Sequence, residues 1–323
     1  MNFHELLELK YFGKLDQKTI FYHANTNAEF SNKWLVHAIR SECSQTELAS
    51  AIAASLKWDT QSLRSLNGYL DSLIEKIKIS HSNIPVETSC LLSQEMITNF
   101  CHDKQKELLK KLNVLSLNIG KKKVLDDNKF TCNIAMPTNQ ISEILNSCAP
   151  QLKSVSLFGN EGGDSKDENI RNNTHFPTPL PNDSMALALL ENLLAKAAEE
   201  PISFSEPPVI LRYQTGQYYK WHYDYIHPHT QEIENHINQF GQRTKTAIFY
   251  FNDNFIGGET EFKKPYLSVS PEKNKVLIFK NCNKGFARDP SSIHRGNTVT
   301  EGDKWIMTLW FRNKPFWLRT GLL

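Results

Sequence analysis

Apolar residues recur at helical spacing in the first part of the chain and give way to short β-branched and aromatic runs in the last part. Over residues 31–112 the pattern is helical. Ser44-Gln45-Thr46-Glu47 has the form of a capping box opening Leu48–Leu56, and Leu63, Leu66, Leu70, Leu73, Ile74 and Ile77 return every three or four positions. That period breaks at Asn118–Lys123 and Asp126–Asn128, a polar stretch with the character of a linker or surface connection. Two more helices are expected, at Thr138–Cys148 and Ser184–Glu200, with a polar loop, Gly159–Lys166, between them. From Val209 onward the pattern predicts strands at Val209–Tyr213, Thr246–Asn252, Val276–Lys280 and Trp305–Phe311, separated by Gly, Pro and Asn. Such a texture belongs to a β-sandwich or barrel. The expected organisation is therefore α+β: a small helical domain over 1–125, then a second domain over 126–323 in which helices flank the strands. No internal repeat or low-complexity segment suggests a solenoid.

Composition narrows the function classes. The 323 residues carry 37 Lys+Arg against 35 Asp+Glu, a net charge of +2, which argues against a protein that neutralises phosphate backbones. The lysines at 121–123 fit a solvated turn better than an anionic-partner patch. Cys43, Cys90, Cys101, Cys132, Cys148 and Cys282 lie far apart with no C-x-x-C pair, as expected for free thiols in a reducing compartment such as the cytoplasm. The opening residues Met1–Leu6 lack a basic segment followed by an apolar one. No run approaches the ~18 apolar residues of a membrane span, so a soluble, unexported protein is expected.

The chemistry concentrates in the strand-rich half. His222-Tyr223-Asp224 is an H-x-D pair at what the run Gly216–Trp221 suggests is the end of a strand, where a period of two sends both side chains to one face. H-x-D alone is common by chance and is more often a surface polar cluster. With His294 as a distant third ligand it completes a two-His, one-carboxylate triad of the kind that holds Fe(II) and leaves positions open for co-substrate and oxygen. Lys304 follows His294 across a turn at Asn297–Gly302, and in isolation would be an exposed turn lysine. In the cavity of His294 its ammonium would suit the distal carboxylate of 2-oxoglutarate, with Tyr213 and Thr308 as hydroxyl donors. His227, His229 and His236 offer an alternative zinc site, but H-x-H on a Pro-containing loop lacks a matched second ligand pair. The same stretch, Tyr225–Gly241, is polar and without strong periodicity, the character of a mobile lid.

Several segments together resemble the prolyl 4-hydroxylase family of Fe(II)/2-oxoglutarate-dependent dioxygenases, over residues from about 130 to 323. Leu211-Arg212-Tyr213-Gln214-Thr215-Gly216-Gln217-Tyr218 is similar to the family's R-Y-x-x-G-x-x-Y approach to the first ligand pair. Gly241-Gln242-Arg243 leads a strand ending in Tyr250-Phe251-Asn252, and Gly257-Gly258-Glu259-Thr260-Glu261-Phe262 is similar to the G-G-E-T-x-F turn. Val269-Ser270-Pro271 and Leu277-Ile278-Phe279 follow in family order. The segment from His294-Arg295-Gly296 through Lys304-Trp305 to Trp310 resembles the family's closing motif, with Thr298 where proline is usual. Upstream, Ser165–Asn173 and Ile141–Leu152 are similar to the segment before an R-x-S turn and to the first helix.

The resemblance implies a double-stranded β-helix (jelly-roll) core, iron held by His222, Asp224 and His294, and 2-oxoglutarate gripped by Lys304 with Tyr213. It implies trans-4-hydroxylation of a prolyl residue in a protein or peptide, with succinate and CO2 released and ascorbate as the expected reductant. Arg243 is a candidate substrate contact, with a surface salt bridge as its alternative, and Trp221 and Trp305 are expected in the core. An oxygenase acting on another side chain or a small molecule remains open, as does a non-catalytic jelly-roll binding module. The nucleic-acid demethylase pattern fits less well, since it resembles sites with arginine in place of Lys304.

Overall fold

The computed structural model describes residues 119–154, 172–175 and 185–316. The helices expected over 31–112 and the loop Gly159–Lys166 lie outside those residues.

The polar stretch at 118–129 proves to be a hairpin. Strand β1 (Lys123–Asp126) pairs with β2 (Lys129–Asn133), Asp126 standing opposite Lys129. The Asn128 amide donates to Asp126 Oδ1 at 2.8 Å and closes an Asx turn. The stretch is a surface connection that includes a strand, and an exposed edge strand needs no apolar alternation, so β1 carries none that a pattern could detect. Among the described residues, the expected division at 125/126 falls inside β1.

The helices form where their apolar spacing put them. Helix α1 spans Thr138–Cys148 and buries Ile141, Ile144 and Cys148 along one stripe. Short strands β3 (Lys153–Ser154) and β4 (Thr174–His175) precede α2 (Met185–Ala198), which packs on α1. The strand half continues with β5 (Val209–Tyr213), β6 (Tyr219–His222), helix α3 (Gln231–Phe240), β7 (Arg243–Tyr250), β8 (Ile256–Gly257), β9 (Thr260–Lys263), β10 (Tyr266–Val269), β11 (Lys275–Lys280), β12 (His294–Gly296), β13 (Val299–Glu301) and β14 (Lys304–Arg312).

Among the described residues, eight strands run β1-β2-β11-β7-β14-β5-β4-β3 in a large sheet, four run β10-β9-β12-β6 in a smaller one, and β13 pairs with β8. The pairings within β11-β7-β14-β5 and within the small sheet are antiparallel, and the chain passes back and forth between the two sheets. That is the jelly roll. Between the sheets lies a core of Leu211, Tyr213, Ile248, Tyr250, Phe262, Val269, Leu277, Phe279, Val299 and Ile306. Alternate residues of β7, Ala247 and Phe249, are buried on the opposite face, where α2 packs. Burial on both faces explains why Val276–Phe279 reads as a continuous apolar run. Cys132, Cys148 and Cys282 are buried free thiols.

The stretch expected to be an aperiodic lid contains α3. Thr230 Oγ1 accepts from Ile233 N at 3.3 Å as an N-cap, and Gly241 ends the helix at φ +83°. Ile233, Ile237 and Phe240 recur at helical spacing, a signal too short among polar neighbours to stand out.

Gly257 and Gly258 turn β8 back toward β9 with φ +79° and +70°. A Cβ on Gly257 would meet the Thr298 carbonyl oxygen at 2.4 Å, so both backbone conformation and space demand glycine. Gly257→Ala is expected to destabilise the fold by about 1–3 kcal/mol, lowering the melting temperature by roughly 2–4 °C per kcal/mol. Thermal unfolding followed by circular dichroism checks this, and an unchanged midpoint would refute the constraint.

Candidate active site

Strands β6 and β12 lie side by side with His294 directly opposite His222. Their rings approach to 4.1 Å between centroids. Asp224, two residues beyond β6, brings its carboxylate to 3.7 Å from Nε2 of both histidines. One donor atom from each of the three lies within 4.8 Å of the others, the only such cluster of three or more metal-ligating residues among those described.

Each imidazole is oriented through its other nitrogen. His222 Nδ1 lies 2.7 Å from the Lys220 carbonyl and His294 Nδ1 2.9 Å from the Ser292 carbonyl. Since a carbonyl only accepts, Nδ1 donates in both rings, and Nε2 is the nitrogen that each turns toward Asp224. Tyr219 stacks on His222 at 3.5 Å, and Phe279 meets His294 edge-on at 4.8 Å. Burial by itself would raise the Asp224 pKa, but His294, His222 and Arg243, with a hydrogen bond from Thr246, hold it below the usual carboxylate range. Two imidazoles and a carboxylate converging in this way fit a divalent transition-metal ion with an open coordination face.

Lys304 opens β14 opposite Tyr213 of β5 and is 2% exposed. Its Nζ donates to the Gly258 carbonyl at 2.6 Å and lies 5.1 Å from the Tyr213 ring and 5.7 Å from the Tyr250 ring. Burial pushes its pKa down from 10.5 to about 7, against a smaller upward pull from Glu259. Tyr250 was not singled out from the sequence. Its phenol, raised in pKa by burial, is hydrogen-bonded to Thr260 Oγ1 at 2.8 Å. The signal was the two-residue period Thr246, Ile248, Tyr250, which puts Tyr250 on the inner face. Thr308 is buried four residues beyond Lys304, on the same face of β14 as Ile306.

Arg243 forms the expected salt bridge, but away from the surface. A bulge at Thr244, where Phe311 pairs with Lys245 and Arg312 with Arg243, re-aims it. Its Nε and Nη2 go to Glu206 as a bidentate pair at 2.5 and 2.7 Å, and its guanidinium lies 3.8 Å over the Trp310 ring. Arg312 Nε shares the same carboxylate at 2.8 Å. The salt bridge is therefore buried, and truncating one member would strand its partners. Trp221 and Trp305, expected in the core, are half-buried, with Arg295 4.7 Å and Arg212 5.5 Å from their rings. Stacking beneath an arginine suits an indole on a sheet's outer face. His227 and His229 stand 6.5 Å apart between ring centroids and His236 packs on Phe240, so the alternative zinc set is not assembled.

Residues 208–312 match the family model of the 2OG-Fe(II) oxygenase superfamily. A protein of Acanthamoeba polyphaga mimivirus assigned as a prolyl 4-hydroxylase is 31% identical over 215 residues, covering 63% of this chain and 86% of the viral protein. The chain belongs to the prolyl 4-hydroxylase-like 2-oxoglutarate–Fe(II) oxygenases. Prolyl 4-hydroxylase 5 of Arabidopsis thaliana is also 31% identical, over 55% of this chain and 66% of the plant protein. Prolyl 4-hydroxylase 1 of the same plant is 28% identical over 62% of its length, so the chain spans about two thirds or less of these plant relatives. Among solved structures, the viral collagen prolyl hydroxylase of Paramecium Bursaria Chlorella virus-1 aligns at a TM-score of 0.42 and 17% identity, over 58% of this chain and 96% of that one.

An oxygenase of this family uses Fe(II) and 2-oxoglutarate, and the His222–Asp224–His294 cluster is where the described residues could hold the metal. His294→Ala should weaken Fe(II) binding by more than the roughly 10- to 100-fold that loss of an outer-sphere partner costs. Anaerobic calorimetric titration checks it, and wild-type affinity in the variant would remove His294 from the ligand set.

Proposed function

We propose that the protein hydroxylates a prolyl residue of a protein or peptide, converting 2-oxoglutarate and O2 to succinate and CO2, with ascorbate keeping the iron reduced. The observation that carries this reading is the placement of a buried lysine on the inner face of the same jelly roll whose neighbouring strands gather two histidines and a carboxylate. His222, Asp224 and His294 hold iron, which when bound supplies oxygen activation. Lys304 takes the distal carboxylate of 2-oxoglutarate, with the Tyr213 and Tyr250 rings walling the pocket and Thr308 further along the strand. Its ammonium already gives one proton to Gly258, leaving two for the carboxylate oxygens. The apolar walls, Phe262, Phe279 and Ile306, keep water from both ends of the co-substrate. The prolyl target is supported by the names of the viral and plant relatives. Arg243, held by Glu206 and lying over the Trp310 ring, is near enough to lower the Asp224 pKa and is the candidate substrate contact.

Succinate formation under air, with Fe(II), ascorbate and a panel of proline-rich peptides, tests the reading. Peptide-stimulated turnover with a product heavier by one oxygen atom, absent in His294→Ala, is the expected result. Turnover of 2-oxoglutarate that no peptide stimulates would move the substrate to another side chain or a small molecule. No iron-dependent turnover at all would leave a binding module.

The lowered lysine pKa gives a second test. Below about pH 7 Lys304 is protonated in the free protein, so 2-oxoglutarate affinity is greatest there. As pH rises above that value, binding must carry a proton in with it, and the dissociation constant should rise by up to about tenfold per pH unit. Lys304→Met should bind weakly and lose this slope. A slope that persists in the variant would assign it to another group.

A further inference from the structure

Behind the metal cluster lies a chain of buried hydrogen bonds that neither the resemblance nor the ligand set accounts for. Thr246 of β7 and Asn281, just past the end of β11, are both fully buried. Thr246 Oγ1 is 2.8 Å from Asp224 Oδ2, and Asn281 Nδ2 is 2.8 Å from Thr246 Oγ1. An ionised carboxylate can only accept, so the hydroxyl proton of Thr246 goes to Asp224. Its oxygen must then accept from the Asn281 amide. This directionality fixes the amide with Nδ2 toward Thr246, and Asn281 Oδ1 is left buried with no hydrogen-bond partner among the described residues. Leaving such an acceptor unmade disfavours the folded state. It is tolerated because the opposite amide orientation would turn the single threonine proton away from Asp224.

The backbone holds Asn281 rigidly for this purpose. Its N–H donates to the Thr244 carbonyl at 2.8 Å, and its own carbonyl accepts from the Asp289 N–H at 2.9 Å. Asp289 is anchored in turn by Asn128 Nδ2 of the β1–β2 turn at 2.8 Å.

We propose that Thr246 and Asn281 are positioning residues for the metal carboxylate: Asn281 locks the rotamer of the Thr246 hydroxyl, which clamps Asp224 Oδ2 and so fixes the orientation in which the carboxylate faces His222 and His294. This rests on the reading that the His222–Asp224–His294 cluster holds a divalent ion. The two residues act in series, so the Asn281 side chain matters only through Thr246.

Titration of the metal-free protein with Co(II), followed by its visible d–d bands, tests both levels. Thr246→Val, which keeps the side-chain volume and deletes the donor, should weaken Co(II) binding by roughly 10- to 100-fold and alter the bands, while Thr246→Ser should stay within a few-fold of wild type. Asn281→Leu should weaken binding less, because the hydroxyl is unlocked but still carries its proton. The double variant Thr246→Val/Asn281→Leu should bind no more weakly than Thr246→Val alone, a coupling that independent structural damage would not produce. Additive losses, or unchanged affinity and bands in Thr246→Val, would overturn the relay while wild-type binding leaves the metal site standing. Failure of the wild type to bind Co(II) would overturn the metal reading and the relay with it. Should Thr246→Val not fold, full wild-type affinity and bands in Asn281→Leu would overturn the relay, and weakened binding with altered bands would support it.

Discussion

The register between β6 and β12 is the constraint on which the rest depends. It sets His294 against His222 across a strand pair whose neighbouring positions are irregular, Gly296 standing opposite Tyr219. Side chains alternate faces along a strand, so a slip of one residue would send one imidazole outward and leave its partner facing apolar wall. The pairing of β12 with β9 on its other edge, His294 against Phe262, resists such a slip because Phe262 is locked edge-on against Phe279 in the core. Hydrophobic packing thereby decides where the polar cluster forms.

Around that cluster the interior contains several charges that come with partners. Glu206 sits between Arg243 and Arg312, Lys129 reaches Asp126 and lies over the Phe262 ring, and Asp224 faces two imidazoles and a hydroxyl. Pairing is what makes such burial tolerable. Lys304 is different: among the described residues it has a carbonyl and two aromatic faces but no carboxylate within salt-bridge distance. A cation kept dry and without a counter-ion is a standing preference for an anion that comes from outside.

Most of this was legible in the sequence, for reasons that can be named residue by residue. The inner strands declared themselves because Val209–Tyr213 and Val276–Phe279 are apolar enough to be buried. His222, Asp224, His294 and Lys304 were found because spacing along strands is short-range information and the motif segments fall in family order. What escaped was set by tertiary geometry. The β1–β2 hairpin looked like a linker because an edge strand may be polar, and α3 looked like an aperiodic loop because only three apolar residues mark its face. The burial of the Arg243 salt bridge was not legible because it depends on a one-residue bulge at Thr244, and no pattern in Arg243–Tyr250 announces a bulge. Thr246 and Asn281 carry no motif at all, since an ordinary threonine and asparagine become a relay only when β7 and β11 are neighbours.

The pairing of β6 with β12 has a last consequence. A metal seated between His222 and His294 would be a staple joining two short strands from distant parts of the chain, on the thinner of the two sheets. Because the unfolded chain cannot offer those ligands together, every increment of metal occupancy is also an increment of folding free energy. The small sheet would be firm in a cell replete with iron and the first part to open in a starved one, so the lifetime of the protein, and not only its turnover, would follow the supply of the metal.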